Sequence, residues 1–208
     1  MKNTFLIVAL LGFFATTANA QYVGIKGGLN LSNLSFGDEV TDNNMRFGYH
    51  FGGYLHLPVS DGFGFQPEVL YSTKGASADY EYDVLGIQGE GSSSFNLNYL
   101  DVPLLGVFKF GDVAEIHLGP YIGFLMNSSV STEGDLGDGQ EDLDRDNFKS
   151  VDFGLAGGLA FNFSALQLGA RYNYGLQKIE NSDAAKAILG DATNSYIQVF
   201  AALRLGAY

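Results

Sequence analysis

Hydrophobic residues fall at every second position over long stretches of this chain. In "LQLGARYNYGLQ", residues 166–177, Leu166, Leu168, Ala170, Tyr172, Tyr174 and Leu176 share one face, and Gln167, Gly169, Arg171, Asn173, Gly175 and Gln177 share the other. A period of two predicts a β-strand lying between an apolar and a polar surrounding. The same reading marks eight segments: residues 22–31, 47–57, 63–74, 95–110, 114–126, 151–163, 166–176 and 195–205. Most are longer than the ~9–11 residues a tilted strand needs to cross a bilayer. They are also long for soluble sheets. Alternation does not say which face is inside. A soluble barrel encloses its apolar face, and a membrane barrel turns the same pattern inside out.

The connections sort into two classes. Residues 58–62, 111–113 and 164–165 make tight turns, whereas residues 32–46, 75–94, 127–150 and 177–194 form long polar connections. Regular alternation of short and long connections is the habit of barrels with short periplasmic turns and long outer loops. Charge follows the same division. Asp38, Glu39 and Asp42, then Asp79, Glu81, Asp83 and Glu90, then the run from Glu133 to Asp146, then Glu180, Asp183 and Asp191 all fall in the long connections.

Composition helps to choose the inside face. The polar face is rich in small residues and poor in charge: Asp152, Gly154, Ala156, Gly158, Ala160 and Asn162 in one segment, Tyr22, Gly24, Lys26, Gly28 and Asn30 in another. A water-facing surface carries more charge. The lumen of an eight-stranded barrel is only wide enough for side chains, and needs small residues beside a few large polar ones. The apolar rows, such as Val151, Phe153, Leu155, Leu159, Phe161 and Phe163, suit lipid. Phe63, Phe65, Phe108, Phe110, Phe161 and Phe163 lie near the short turns, and Phe47, Tyr49, Tyr71, Phe95 and Tyr174 near the long connections. Two aromatic rings match the two interfaces of a membrane. The sequence therefore predicts an all-β fold, an eight-stranded antiparallel up-and-down transmembrane β-barrel. The alternative is a secreted lipocalin-like carrier with its apolar face inward.

The first twenty residues read as a leader. Lys2 supplies a positive start, residues 5–14 are apolar and "ANA" at 18–20 is a small-residue cleavage site, so residues 1–20 form a signal peptide and 21–208 the barrel. The chain has no Cys, so neither disulfides nor a lipid-bearing N-terminal cysteine enters the fold. A net charge of −12 argues against nucleic acid as a partner.

Nine charged residues on the polar face form a candidate lumen network: Lys26, Glu68, Lys74, Asp101, Lys109, Glu115, Asp152, Arg171 and Arg204. Desolvated carboxylates need basic partners, and Arg171, Arg204, Lys74 and Lys109 are available to Glu68 and Asp101. The same residues could instead line an ion path. His50, His56 and His117 also project to the polar face, where hydrogen bonding is expected of them. His50 and His56 are about 20 Å apart along one strand and cannot share a metal. No nucleophile elbow or zinc-binding helix motif is present, so no enzyme activity, cofactor or metal is expected. The acidic run from Glu133 to Asp146 offers oxygen ligands without the order of a known calcium loop, and a solvated acidic loop or divalent bridging to lipopolysaccharide both remain open.

Two stretches go beyond periodicity. "FGFQPEVLYSTKG" (residues 63–75) and "NYLDVPLLGVFKF" (residues 98–110) resemble the paired signature of the PorT-like outer-membrane β-barrel family, and "GIKGGLNLSNL" (residues 24–34) is similar to that family's first strand. The resemblance implies an eight-stranded barrel in the outer membrane of a Gram-negative, Bacteroidetes-type cell, exported through the general secretory pathway. The partners expected of such a barrel are outer-membrane lipid and lipopolysaccharide and the barrel-assembly machinery, with envelope or secretion proteins as further candidates. The resemblance implies no activity; the residues themselves favour a structural or adhesion-type barrel whose acidic loops contact the exterior, with a narrow channel or secretion-associated transporter component as the alternative. The chain departs from the usual barrel ending, because Leu203, Leu205 and Ala207 share a face that excludes Tyr208.

Overall fold

The computed structural model describes residues 22–36, 46–84, 87–134, 139–142, 149–178 and 192–205. The leader, the chain terminus with Tyr208, and most of the acidic run after Gly134 lie outside the described residues. Nine strands are found among the described residues: β1 (Tyr22–Phe36), β2 (Arg46–Ser60), β3 (Phe63–Val84), β4 (Ile87–Phe110), β5 (Ala114–Gly134), β6 (Gly139–Asp142), β7 (Val151–Phe163), β8 (Leu166–Lys178) and β9 (Ala192–Leu205). Eight of them close into one antiparallel barrel. Each strand pairs with its neighbours in sequence, β6 apart, and β9 returns to pair with β1 from Val23↔Leu205 to Phe36↔Ala192. The ninth, β6, is an accessory strand held on the outer part of β5 through Ser129↔Asp142 to Thr132↔Gly139.

Backbone groups in such a ring find partners on the adjacent strands, so no sheet edge remains at membrane depth. The tight turns fall at Asp61–Gly62, Gly111–Val113 and Ser164–Ala165. Gly111 (φ 65°) and Ser164 (φ 57°) adopt the left-handed conformation that reverses the chain in few residues.

Two of the long connections differ from expectation. Residues 75–84 and 87–94 continue β3 and β4 as paired strands out to Val84↔Ile87, and residues 127–134 continue β5 against β4. Polarity had marked these stretches as loops. Yet "ADYEYDV" keeps the two-residue alternation, and in water a two-stranded ladder can be polar on both faces. The sheet β3–β4–β5–β6 thus runs well beyond the rest of the barrel.

Side-chain placement decides the inside face. Phe153, Leu155, Leu159, Phe161 and Phe163 on β7 are 44–56% exposed, while Ala156 and Ala160 between them are buried, as is Asp152 before them. The same inversion holds around the ring. Ile25, Leu29, Phe51, Val69, Leu104, Leu118, Leu168, Val199 and Leu203 point out, and Lys26, Glu68, Asp101, Glu115 and Arg171 are buried. A soluble carrier would show the reverse arrangement.

Candidate functional site: the barrel lumen

The buried polar side chains form three tiers. Nearest the short turns, Glu115 on β5 accepts from four donors. Arg204 Nη2 (3.2 Å) and Asn162 Nδ2 (2.9 Å) reach Oε1, and Gln167 Nε2 (2.9 Å) and His117 Nε2 (3.0 Å) reach Oε2. Arg204 also lies over the Tyr22 ring, which stacks on His56 at 4.7 Å between centroids.

Glu68 on β3 is the centre of the middle tier. Arg171 on β8 grips it with two bonds, Nη1 to Oε2 at 2.9 Å and Nη2 to Oε1 at 2.8 Å. Lys26 Nζ reaches Oε1 at 2.6 Å, and Gln66 Nε2 donates to the same oxygen at 2.8 Å. The paired fork of a guanidinium on a carboxylate fixes geometry as well as charge. Lys26 and Arg171 both face the ring of Phe200, at 4.1 and 5.5 Å from its centroid. Above this lies a neutral network in which Asn30 donates to Ser72 Oγ, and His50 Nδ1 and Gln198 Nε2 donate to Asn30 Oδ1.

The tier nearest the long connections is built on Lys74. Its Nζ donates to Asp101 Oδ1 at 2.9 Å and to Asp152 Oδ2 at 3.4 Å. The rings of Tyr99, Tyr121 and Tyr196 surround the ammonium at 4.5–5.1 Å. Tyr196 donates to Asp101 Oδ2 (3.2 Å), while Tyr121 (3.3 Å) and Asn194 (3.0 Å) donate to Asp152 Oδ2.

Eight of the nine charged residues singled out from the sequence therefore meet in ion pairs: Lys26, Glu68 and Arg171; Lys74, Asp101 and Asp152; Glu115 and Arg204. Two details differ from expectation. Arg204 serves Glu115 and not Glu68, because β9 places it level with the short turns, opposite Gly24 of β1. Lys109 stands at the short-turn rim, opposite Glu115 in register, and makes no ion pair among the described residues. The three histidines lie on the inner face, where His50 and His117 are hydrogen-bonded to Asn30 and Glu115. Among the described residues no group of three or more His, Cys, Asp and Glu converges on a metal-sized site.

Sequence reasoning missed the aromatic filling. Tyr54, Tyr99, Tyr121, Tyr196 and Phe200 are buried inside the barrel. Their parity could have revealed them, since Tyr99 is in phase with Asp101 and Tyr121 with Glu115 and His117. The small residues are their counterpart. A Cβ at Gly24 would collide with the Tyr54 ring, and one at Gly169 with the Phe200 ring at 2.5 Å.

The outer membrane protein β-barrel domain family matches residues 18–181. The chain belongs to that family. Solved structures similar to it include the attachment invasion locus protein Ail of Yersinia pestis, at 17% identity over 89% of this chain and 99% of that one, with a TM-score of 0.45. Neisserial surface protein A is similar at 14% identity over 91% and 99%, with a TM-score of 0.48. A major outer membrane protein from Thermus thermophilus is similar at 13% identity over 90% and 100%, with a TM-score of 0.46. A comparison with curated protein sequences found no significant match.

This outer-membrane barrel is an integral protein whose exposed apolar rows contact lipid, and whose charged residues fill the lumen. Family and geometry together leave no place for the soluble-carrier alternative. The three tiers set four buried carboxylates against cations, amides, phenols and an imidazole.

Proposed function

We propose that this barrel is a PorT-like surface-contact protein, which fixes a protruding sheet and acidic loops at the cell exterior. The lumen is a structural plug in this reading and not a conduit. One observation carries it. β3, β4 and β5 are 22, 24 and 21 residues long, about twice the ~9–11 residues needed for a crossing. Roughly half of each strand is then free to stand outside the membrane, stiffened by pairing and extended by β6. Such an edge-bearing, acidic sheet is suited to meeting another surface.

The PorT-like signature gains a physical meaning that supports the assignment. Its two stretches are paired strands, and their residues build the upper tier: Lys74 from one meets Asp101 from the other, over the ring of Tyr99. Glu68 of the first stretch is the hub of the middle tier. On this reading residues 1–20 are removed at export, and the barrel-assembly machinery inserts the mature chain. Envelope proteins are then the natural partners, and the protein has no catalytic role.

The test is to shorten the hairpin by joining Ala76 to Phe95 through an Asn-Gly turn. The shortened barrel should keep heat-modifiable gel mobility, while cells bearing it lose attachment and surface cross-links made by cells with the full hairpin. Undiminished attachment by the shortened form would refute the contact role. The runner-up is a narrow channel lined by Glu68, Asp101, Arg171 and Arg204. It predicts stepwise conductance in planar bilayers, where the plug predicts none.

A further inference from the structure

A groove of about 520 Å³ lies on the outer surface of the barrel, on the long-loop side, where β2 ends and β3–β5 continue. That volume is within the ~300–1,000 Å³ of small-molecule sites. Its floor is polar and uncharged, formed by Thr73, Asn96, Asn98 and Ser129. Two backbone irregularities border it: β5 carries a bulge where Asn98↔Asn127 gives way to Tyr99↔Leu125, and Gly75 on β3 has φ 145°. Thr73 Oγ1 accepts the Tyr49 N–H at 2.8 Å, and Asn96 Nδ2 donates to Ser131 Oγ at 3.0 Å, which holds the floor rigid.

Arg46 is the charged residue of the groove. It is half-buried, and Nη1 donates to the Lys74 carbonyl at 3.4 Å, which anchors the guanidinium over the floor. Among the described residues no Asp or Glu lines the groove, although the neighbouring long connections are acidic. The lower rim is aromatic, with Phe47, Tyr49 and Tyr71 turned outward and the ring centroids of Tyr49 and Tyr71 6.2 Å apart. Outward aromatics mark the membrane interface. The groove therefore opens at the level of the lipid headgroups on the long-loop side, which in barrels of this family is the outer leaflet.

We propose that this groove binds the phosphorylated sugar headgroup of an outer-leaflet lipopolysaccharide molecule. Arg46 pairs with the phosphate, Asn96 and Asn98 meet the sugar hydroxyls, and the acyl chains descend past Phe47 and Tyr49. The chemistry fits at each level. A guanidinium suits a phosphate, amides both donate and accept as hydroxyls require, and the aromatic rim continues into the lipid-facing surface. Free sugar phosphates share the headgroup chemistry without the chains.

The chain has no Trp, so Phe47→Trp gives a single reporter in the groove. The barrel carrying it, in phosphatidylcholine nanodiscs, is titrated with purified lipid A, dephosphorylated lipid A, phosphatidylglycerol and glucosamine 1-phosphate. Lipid A should shift the Trp emission saturably. Arg46→Gln should weaken binding about tenfold, as for loss of one charge-assisted hydrogen bond. Dephosphorylated lipid A should lose the same factor, with no further loss on Arg46→Gln. Asn98→Leu should weaken lipid A while leaving phosphatidylglycerol unaffected. Folding of each variant is checked by heat-modifiable mobility, and the dephosphorylated lipid tests the same contact on the Arg46 protein should Arg46→Gln not fold. Lipid A affinity unchanged by loss of the phosphate overturns the proposal, as does phosphatidylglycerol binding as tightly as lipid A. Glucosamine 1-phosphate saturating the site at equal affinity would place the occupant in solution and overturn the lipid assignment.

Discussion

Glu68 shows how a single residue organises this interior. Its carboxylate is nearly inaccessible and receives four hydrogen bonds, three of them from Lys26 and Arg171. Removing it strands two buried cations. Glu68→Ala should destabilise the folded barrel by about 3–5 kcal/mol, the usual loss when one partner leaves a buried pair, read as urea-dependent folding into lipid vesicles. Replacing the whole group with Lys26→Met, Glu68→Leu and Arg171→Met should cost less than Glu68→Ala alone. A double-mutant cycle separates the partners: Glu68 and Arg171 should couple strongly, and Glu68 and Arg204 should be additive, because Arg204 belongs to Glu115. Strong coupling between Glu68 and Arg204 would contradict the observed tiers.

At the scale of one strand, β8 tests the direction of the faces. Leu168 is 43% exposed on the outer row, and Arg171 lies three residues on, fully inside. Leu168→Arg should cost about 2–4 kcal/mol near the midplane, measured by the same vesicle-folding assay. A fluorophore on Leu168→Cys should be quenched by brominated lipid. A label at 168 beyond the reach of lipid quenchers would reverse the faces. The extent of the strands was less legible than their phase. Residues 78–84 alternate, yet the polarity of residues 76–94 and 127–134 resembles that of loops, and only pairing between β3, β4 and β5 distinguishes the two. The same holds for β6, four residues whose strand state depends on a neighbour far from local propensity.

The molecule as a whole has two unlike ends. Three tight turns close one rim, while the paired extensions of β3, β4 and β5 stand on the other. Protease added to intact cells should cut within residues 75–94 or 127–150 where surface polysaccharide leaves them open, and should spare the turn at 58–62. Cleavage at that turn in intact cells would invert the topology. The tiers of Glu115, Glu68 and Lys74 cross the lumen between these ends, and several of their contacts join opposite walls. Arg171 on β8 reaches Glu68 on β3, and Tyr196 on β9 reaches Asp101 on β4.

Much of this barrel is decided locally. Period-two alternation is a property of neighbouring residues, and it specified the phase of all eight wall strands, the positions of the tight turns and the inner placement of Glu68, Asp101, Arg171 and the three histidines. The scarcity of charge on the polar rows, a feature of composition, pointed the apolar rows at lipid. Which charges pair is another matter. Lys26, Glu68 and Arg171 lie on β1, β3 and β8, and nothing between them in the chain encodes their meeting; strand stagger around the closed ring brings them to one height. The same stagger carries Arg204 to Glu115 and sets Tyr99, Tyr121 and Tyr196 around Lys74. Interior contacts in a barrel are made across a circle, so they depend on closure, and closure is a property of the tertiary structure alone.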